Sequence, residues 1–190
     1  RKPKVKTATV KEDLSRRDFT VNAMAVSILP NDYGTLYDPF NGIRDMQSGL
    51  LVTPLDPDET FNDDPLRILR ATRFAAQLKF KIASGVINSI KRKKDRFSII
   101  SKERITEEIM KTLRTNQPSI GFNLMKEFGL LPFIFPELDL LSGVEIIDKK
   151  GHKDVFIHTL QVLDNIAKLT DKVNLRFAAL VHDIAKPQTK

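Results

Sequence analysis

The sequence contains no cysteine, which excludes a disulfide framework and any metal site built from thiolates. A reducing compartment is the simplest setting for such a chain, and we expect a cytoplasmic protein. No apolar run approaches the length needed to cross a membrane, and no basic-then-apolar leader opens the chain. Internal repeats and low-complexity linkers are also missing. These absences leave an ordinary protein with a hydrophobic core.

Basic residues outnumber acidic ones, at 31 Lys and Arg against 24 Asp and Glu, which gives a formal net charge of +7. A surplus of this sign attracts a polyanion such as nucleic acid. With 190 residues and 41% hydrophobic content, the chain can bury one core, or two small helical units joined end to end. We therefore expect a folded protein whose positive charge favours binding to nucleic acid.

The first third of the chain has a mixed pattern. Residues 4–10 alternate polar and β-branched side chains, which predicts a strand. Ser15, with Asp18 three positions later, fits a helix N-cap. The apolar residues 19–28 predict a helix that is buried nearly all round and ends at Pro30.

Beyond this region the pattern becomes helical. Residues 35–37 and 50–53 are predicted as short extended segments, and from Asp58 onward the spacing indicates helices alone. The predicted fold class is mainly α with a small α/β part. Changes in pattern divide the chain into three predicted domains: residues 1–60, 61–148 and 149–190.

The stretch NDDPLRILRATRF, residues 62–74, combines charge with a buried helix pattern. Pro65 suits the first turn of a helix because its missing N–H is not needed there. Asp63 and Asp64 are then placed at the positive end of the helix dipole. Apolar residues cover most other directions, which predicts a largely buried helix whose charges have partners.

Four charged residues in this stretch, Asp64, Arg67, Arg70 and Arg73, are spaced three apart. Each step turns about 60° around the axis, so Asp64 and Arg67 are neighbours that can share one ligand. One interpretation is an internal ion pair, with Asp63 as the helix cap. In the other, the carboxylate accepts from the exocyclic amine of a base and the guanidinium donates to its ring nitrogen. That arrangement matches cytosine and adenine and opposes uracil and guanine.

Three segments occur in a specific order: residues 16–25 read RRDFTVNAMA, residues 38–42 read DPFNG and residues 63–67 read DDPLR. They resemble the ribose-reading motif RRDFTxNAxA, the DPFGG turn and the amino-acid template E/D-D-x-x-R of one family. That family is the class II tRNA nucleotidyltransferases (CCA-adding enzymes) and poly(A) polymerases. The departures are Asp63, where the family often has Glu, and Asn41, where it often has Gly.

The resemblance implies a role for each motif. The RRDFTxNAxA motif contacts the ribose and phosphates of the incoming nucleotide. The E/D-D-x-x-R motif reads the base of that nucleotide, so that no nucleic-acid template is needed. By resemblance, the nucleotide-binding residues here are Arg17, Asp18, Asp64, Arg67, Arg70 and Arg73, the last two on the triphosphate side. For Asp18 a second role stays open, since Ser15 and Asp18 also fit a capping box.

The carboxylates that this family uses for catalysis are not found in the sequence. The family transfers nucleotides with two metal ions held by a D-x-D on a strand, together with a Gly-Gly phosphate turn. Neither precedes Arg16, and Asp56 and Asp58 are set in what the sequence predicts to be a proline-bounded loop. We expect Mg²⁺ to bind in a part of the head outside this chain. The isolated chain is accordingly expected to contain no catalytic residue and to catalyse no transfer.

Residues 79–141 resemble the helical neck and RNA-binding body of the family. A basic run in this region, Lys91, Arg92, Lys93 and Lys94, is a candidate contact for tRNA phosphates. A solvated helix end is the alternative. The charges of Glu103, Arg104, Glu107 and Glu108 are predicted to form the exposed face of another helix.

Residues 149–190 resemble the start of an HD phosphohydrolase domain. The candidate metal ligands are His158, His182 and Asp183, because imidazoles and a carboxylate suit a divalent ion. An adjacent His-Asp pair can also be incidental. The domain's last Asp ligand would lie beyond Lys190, so we expect an incomplete site.

The resemblance implies the end of a polymerase-β-like nucleotidyltransferase head, a helical neck and body, and the start of an all-α HD domain. The implied activity is addition of CCA to tRNA 3′ ends from CTP and ATP. A poly(A) or A-adding polymerase is the alternative within the family. An RNA-binding or HD phosphohydrolase module with a vestigial nucleotide pocket is the alternative from another class.

Overall fold

The computed structural model of the protein describes residues 7–148 and 151–189. Helices dominate this part of the chain, and its strands are short pairs, which confirms the predicted mainly α class. Within the described residues, no helix is both long and apolar enough to cross a membrane.

The N-terminal region begins with a helix where we predicted a strand. Residues 4–6 of the predicted strand lie outside the described residues, 7–9 are irregular, and Val10 begins helix α1 (Val10–Ser15). The capping box is formed by Thr9 and Glu12: the Glu12 N–H donates to the Thr9 hydroxyl at 3.3 Å, and Glu12 accepts from the Thr9 N–H at 2.7 Å. The prediction that Ser15 is the N-cap was therefore wrong.

The long buried helix predicted for residues 19–28 was also wrong. The segment forms one 3₁₀ turn (Thr20–Asn22) and strand β1 (Ala25–Val26), which pairs antiparallel with β2 (Leu36–Tyr37). The Thr20 N–H donates to the carbonyl of Val52 at 2.8 Å, so this backbone bonds to a distant segment. Ile28, at 81% exposure, is far from buried.

The DPFNG turn leads into α2 (Gly42–Gln47) and holds it against the RRDFT segment. Asn41 adopts the left-handed conformation at φ 59°, which Asn tolerates better than most residues, so it can replace glycine here. The Asp38 carboxylate accepts from the N–H groups of Gly42, at 2.7 Å, and Ile43, at 3.0 Å. Gly42 lies so close to Thr20 that a Cβ would clash with the Thr20 carbonyl.

The middle of the chain is built around one buried helix. Strand β3 (Leu50–Leu51) pairs parallel with β4 (Lys81–Ile82). The helices are α3 (Pro57–Asp63), α4 (Leu66–Leu78), α5 (Ser84–Lys93), α6 (Lys102–Leu113), α7 (Pro118–Glu127), α8 (Leu131–Ile134) and α9 (Pro136–Asp139), with a 3₁₀ segment at Lys94–Ile99. Helix α4 packs against both α6 and α7 and is buried over most of its surface. Asp56 caps α3 and Asp58 lies in its first turn, so the loop predicted there is a helix start.

The C-terminal region adds a hairpin that the sequence did not predict. Strands β5 (Glu145–Asp148) and β6 (Gly151–Asp154) pair antiparallel, so the expectation of helices alone after Asp58 was wrong here and at β4. Helices α10 (Val155–Leu169) and α11 (Val173–Val181) follow, then a 3₁₀ turn at Lys186–Gln188. Helix α10 packs on α11 and α7, which joins this region to the middle of the chain.

Candidate nucleotide and RNA site

Asp64 lies at the N-terminal end of α4, as the sequence predicted. Its Oδ1 accepts from the Leu66 N–H at 3.1 Å, and its Oδ2 accepts from Arg104 at 2.7 Å. The residue that caps this helix is therefore Asp64, whereas Asp63 ends α3. With 29% of its side chain exposed, the Asp64 carboxylate can still be reached by a ligand.

Arg67 contacts backbone carbonyls and not Asp64. Its guanidinium donates to the carbonyls of Thr60, at 3.2 Å, and Arg16, at 2.5 Å. The internal ion pair that the sequence allowed between Asp64 and Arg67 is thus not formed, and each residue has its own set of contacts. Arg67 thereby ties the RRDFT segment to α4 and keeps N–H donors that these two contacts do not use.

Asp18 is buried and is paired with Arg70. Its Oδ2 accepts from Arg70 Nε at 2.7 Å, and its Oδ1 accepts from the Asn22 amide at 2.8 Å. Burial lowers the pKa of Arg70, but the hydrogen bond that Arg70 donates to Asp18 and the charges of Asp18, Glu108 and Asp64 outweigh it and raise that pKa. Arg70 is therefore held as a cation between the ribose motif and α6.

Glu108 contacts three cations of the charge network, and the prediction that it lies on an exposed helix face was wrong. Its side chain is only 2% exposed, so it does not belong to the exposed face that we predicted. It accepts from Arg73 Nε at 2.7 Å and from Lys111 at 3.1 Å, and it lies 3.7 Å from Arg70. Arg73 also stacks over the Phe74 ring, 4.1 Å from its centroid. One buried carboxylate thus fixes three cations.

A sequence signal for Glu108 existed. Ile105, Glu108, Ile109 and Thr112 follow the i, i+3, i+4, i+7 spacing of a buried helix face, and all four are buried. A carboxylate within such a stripe requires buried cations, and Arg70 and Arg73 were the available candidates. Arg104 gave no comparable signal, because its side chain is exposed and an exposed arginine does not require a partner within the protein.

Arg17 has the opposite environment from Asp18. Its side chain is 54% exposed, and it pairs at 3.3 Å with Asp13, four residues earlier in the chain. Such an exposed pair is weak, so Arg17 is available to an anionic ligand. The nucleotide-binding roles of Arg17, Asp18, Asp64 and the template arginines stay predictions.

The basic run at the end of α5 is partly neutralised within the protein. Arg92 donates to Asp58 at 2.8 Å, and Lys93 lies 3.9 Å from the same carboxylate. The hydrogen bond from Arg92, followed by that from Ser89, lowers the pKa of Asp58. Lys91 is exposed, whereas Lys94 is partly buried. An RNA contact by this run stays a prediction, and Lys91 is the exposed member that makes no ion pair among residues 7–144 and 154–189.

The structure brings His158, His182 and Asp183 together. Their potential ligand atoms all lie within 4.8 Å of one another, although α10 carries the first and the other two follow α11. His182 Nδ1 lies 2.7 Å from the Ala179 carbonyl, and its Nε2 lies 3.2 Å from Asp183 Oδ2. Lys186 also contacts that carboxylate, at 2.8 Å.

These three residues fit a divalent ion. Donation from His182 Nδ1 to a carbonyl fixes the tautomer in which Nε2 carries the lone pair, as is usual for metal-ligating histidines. Nε2 and the Asp183 carboxylate face each other at 3.2 Å, so one cation could contact both groups. Two ligand atoms that each lie about 2.1 Å from one ion are at most about 4.2 Å apart. This distance is close to the 4.8 Å within which the potential ligand atoms of the cluster lie. A metal role for the cluster stays a prediction.

Three family models match the chain in order. The poly A polymerase head domain matches residues 1–52, the probable RNA and SrmB-binding site of polymerase A matches 79–141, and the HD domain matches 155–190. The multifunctional CCA protein of Psychromonas ingrahamii is 40% identical over 95% of the chain. The chain therefore contains matched segments of the poly A polymerase head, of the polymerase A RNA-binding region and of the HD domain. Each matched segment falls within one predicted domain, whose boundaries stay predictions.

A second curated relative and two solved structures give the same picture. The multifunctional CCA protein of Vibrio campbellii is 37% identical over 96% of the chain. A solved tRNA nucleotidyltransferase in complex with a primer tRNA and an incoming ATP analog superposes with a TM-score of 0.74 at 29% identity, over 96% of this chain and 53% of that one. A tRNA-processing enzyme with CTP gives 0.71 at 27% identity, over 96% and 52%. The chain spans 44% and 45% of the two curated relatives.

Proposed function

We propose that the complete protein adds CCA to tRNA 3′ ends from CTP and ATP without a nucleic-acid template. The observation that carries the proposal is the placement of Asp64 and Arg67 at the N-terminal end of α4, where the Arg67 contact to the Arg16 carbonyl joins them to the RRDFT segment. The names of the curated relatives support the same activity. So do the tRNA, ATP analog and CTP bound by solved relatives.

The chemistry of base selection follows from the free capacity of these two groups. Each Asp64 oxygen accepts one hydrogen bond within the protein and can accept another from an exocyclic amine. Arg67 uses two of its five N–H groups on carbonyls, which leaves donors for a ring nitrogen. Cytosine and adenine offer this donor and acceptor order. Uracil and guanine would place a donor against a donor and an acceptor against an acceptor. Each group left unpaired in this way costs roughly 1–3 kcal/mol.

The other predicted residues have separate tasks in this proposal. Arg17, exposed at the end of α1, contacts the ribose or phosphates of the nucleotide. Asp18 acts mainly through Arg70, which it holds in place at 2.7 Å. Arg70 and Arg73 support the triphosphate side of the pocket, and Lys91 contacts tRNA. The catalytic Mg²⁺ binds carboxylates of the head outside this chain, and the protein works in the cytoplasm.

The first test is incorporation by the complete protein on tRNA that lacks its terminal CCA, with each labelled nucleotide alone and with CTP plus ATP. We expect addition of C, C and A, followed by a stop. A product containing only A would favour the A-adding polymerase, because Asp64 and Arg67 fit both bases. No incorporation would favour an RNA-binding module with a vestigial pocket.

The second test changes the base-reading carboxylate. Asp64→Ala should reduce selectivity for CTP over UTP by at least about fivefold, because the partner of the exocyclic amine is lost. Glu59→Ala, an exposed carboxylate change on neighbouring α3, is the matched control and should leave selectivity unchanged. Full selectivity in Asp64→Ala would show that another group reads the base.

The HD cluster supports a second, separate activity. His158, His182 and Asp183 offer two imidazoles and a carboxylate to one divalent ion, which suits metal-dependent phosphohydrolysis. Hydrolysis of a phosphodiester by the complete protein that requires added Mn²⁺ or Ni²⁺ and disappears in His182→Ala would support it. Hydrolysis that persists in His182→Ala would assign the activity elsewhere.

A further inference from the structure

A basic cleft lies between the C-terminal halves of α4 and α6. Its volume is about 280 Å³, and it is lined by Arg73, Gln77, Lys111, Arg114, Thr115 and Asn116. Arg73 lies six residues beyond Arg67 on α4, which places the cleft roughly 9 Å along the helix axis from the base-reading pair. The cleft is therefore outside the pocket assigned above to the base, and Arg73 is the residue that it shares with the proposed triphosphate side.

The cleft has a surplus of positive charge. Glu108 and Glu107 are the carboxylates beside it, and they pair with Arg73 and Lys111. Arg114 is exposed, and among residues 7–144 and 154–189 it pairs with no carboxylate. Three cations therefore face two carboxylates, which leaves one positive charge for a ligand.

Arg73, the innermost donor of the cleft, is held in place before any ligand binds. Arg73 is fixed by Glu108 on one side, by the Gln77 oxygen at 2.8 Å on another, and by the face of Phe74. Because the Gln77 oxygen accepts from Arg73, its amide N–H groups are left for a ligand. Arg114 adds a guanidinium that can donate two parallel hydrogen bonds to a phosphate. Rigid donors of this kind reduce the entropy cost of binding.

We propose that this cleft binds one phosphodiester of the RNA substrate, at a site separate from the base-reading pair. The inference rests on the proposed function, because it assumes an RNA substrate. A phosphodiester carries a single negative charge, which matches the single surplus cation, whereas a triphosphate would bring several. The cleft is also open to solvent at Arg114, as a continuous strand requires. Lys111, Arg114 and Asn116 lie in the segment that matches the RNA-binding model.

Arg114→Glu in the complete protein tests the site. We expect binding of labelled tRNA lacking CCA to weaken roughly tenfold at moderate salt, and the slope of log K against log salt to fall by about one. The KM values for CTP and ATP should stay unchanged. Lys168→Glu, a charge reversal at an exposed lysine near the end of α10, is the matched control and should leave tRNA binding intact.

The other outcomes overturn the proposal. Unchanged tRNA affinity and salt slope in Arg114→Glu would show that the cleft binds no RNA phosphate. Raised KM values for CTP and ATP with unchanged tRNA binding would assign the cleft to the nucleotide triphosphate. The proposed function is tested separately, because wild-type protein that binds tRNA but adds no nucleotide would contradict that function and leave the Arg114 measurement valid.

Discussion

Helix α6 contacts α4 at one junction and α11 at another, and each junction contains a buried arginine. The two junctions differ in the groups that accept hydrogen bonds from the arginine. On the side facing α4, Arg73 and Arg70 are paired with the carboxylates of Glu108 and Asp18. At the C-terminal end of α6, Arg176 from α11 is 2% exposed and donates mainly to backbone carbonyls. These belong to Leu113, Thr115, Ala167 and Thr170, at 2.8 to 2.9 Å.

The difference indicates two different tasks. Carbonyls at the end of a helix have no partners within it, and Arg176 satisfies those of Leu113 and Thr115 while fixing α11 to α6. Such carbonyls cannot move independently of the backbone, so this junction is structural. At the α4 junction the carboxylate contacts leave some guanidinium N–H groups unused, and a phosphate can accept from these. The α4 junction is therefore the one suited to binding.

Removal of the Glu108 charge should have the largest effect on stability. Glu108→Gln leaves Arg73 and Lys111 without their buried counter-charge, and we expect the free energy of unfolding to fall by about 3–5 kcal/mol. Urea denaturation of the complete protein measures it. Glu107→Gln, on the exposed side of the same helix, is the control and should change little. An equally small change in Glu108→Gln would show that the Glu108 charge is not needed for folding.

Arg176→Lys should have a smaller effect, of about 2 kcal/mol. Lysine keeps the charge, but its single ammonium group cannot reach all the carbonyls that the planar guanidinium contacts, so some are left unsatisfied. We expect lower stability in urea with unchanged KM values for CTP and ATP, because this junction binds no substrate. A changed nucleotide KM would mean that the two junctions are coupled and would contradict their separation.

The parts of the fold that the sequence predicted are those set by local signals. Pro65 and the helical spacing after it fix the start of α4, and turn residues isolate the short segments β2 and β3. In contrast, the spacing of Phe19 and Ala23 fits a helix, and what prevents one is the hydrogen bond from Thr20 to Val52. That contact joins residues far apart in sequence, so a local pattern does not contain it.

The candidate site shows the same limit. Motif resemblance located Asp18, Asp64 and Arg67, but their partners could not be read from spacing. Asp64 binds Arg104 and Asp18 binds Arg70, across 40 and 52 positions of sequence. Partner choice depends on how α4 and α6 pack, and several charge pairings satisfy the same helical pattern.

The exposed pair of Asp58 and Arg92 extends the comparison to the surface and should have the smallest effect. The folded state lowers the pKa of Asp58, chiefly through the hydrogen bond from Arg92, so the charged carboxylate stabilises the fold. That contribution is present above the unfolded pKa, about 3.9, and disappears as pH falls through the lower folded value. Asp58→Asn should therefore be slightly less stable than wild type in urea at pH 7 and equal to it near pH 2. Because water and salt screen an exposed pair, added salt should also remove the difference at pH 7. A difference that persists in high salt would place Asp58 with the buried carboxylates of the α4 junction.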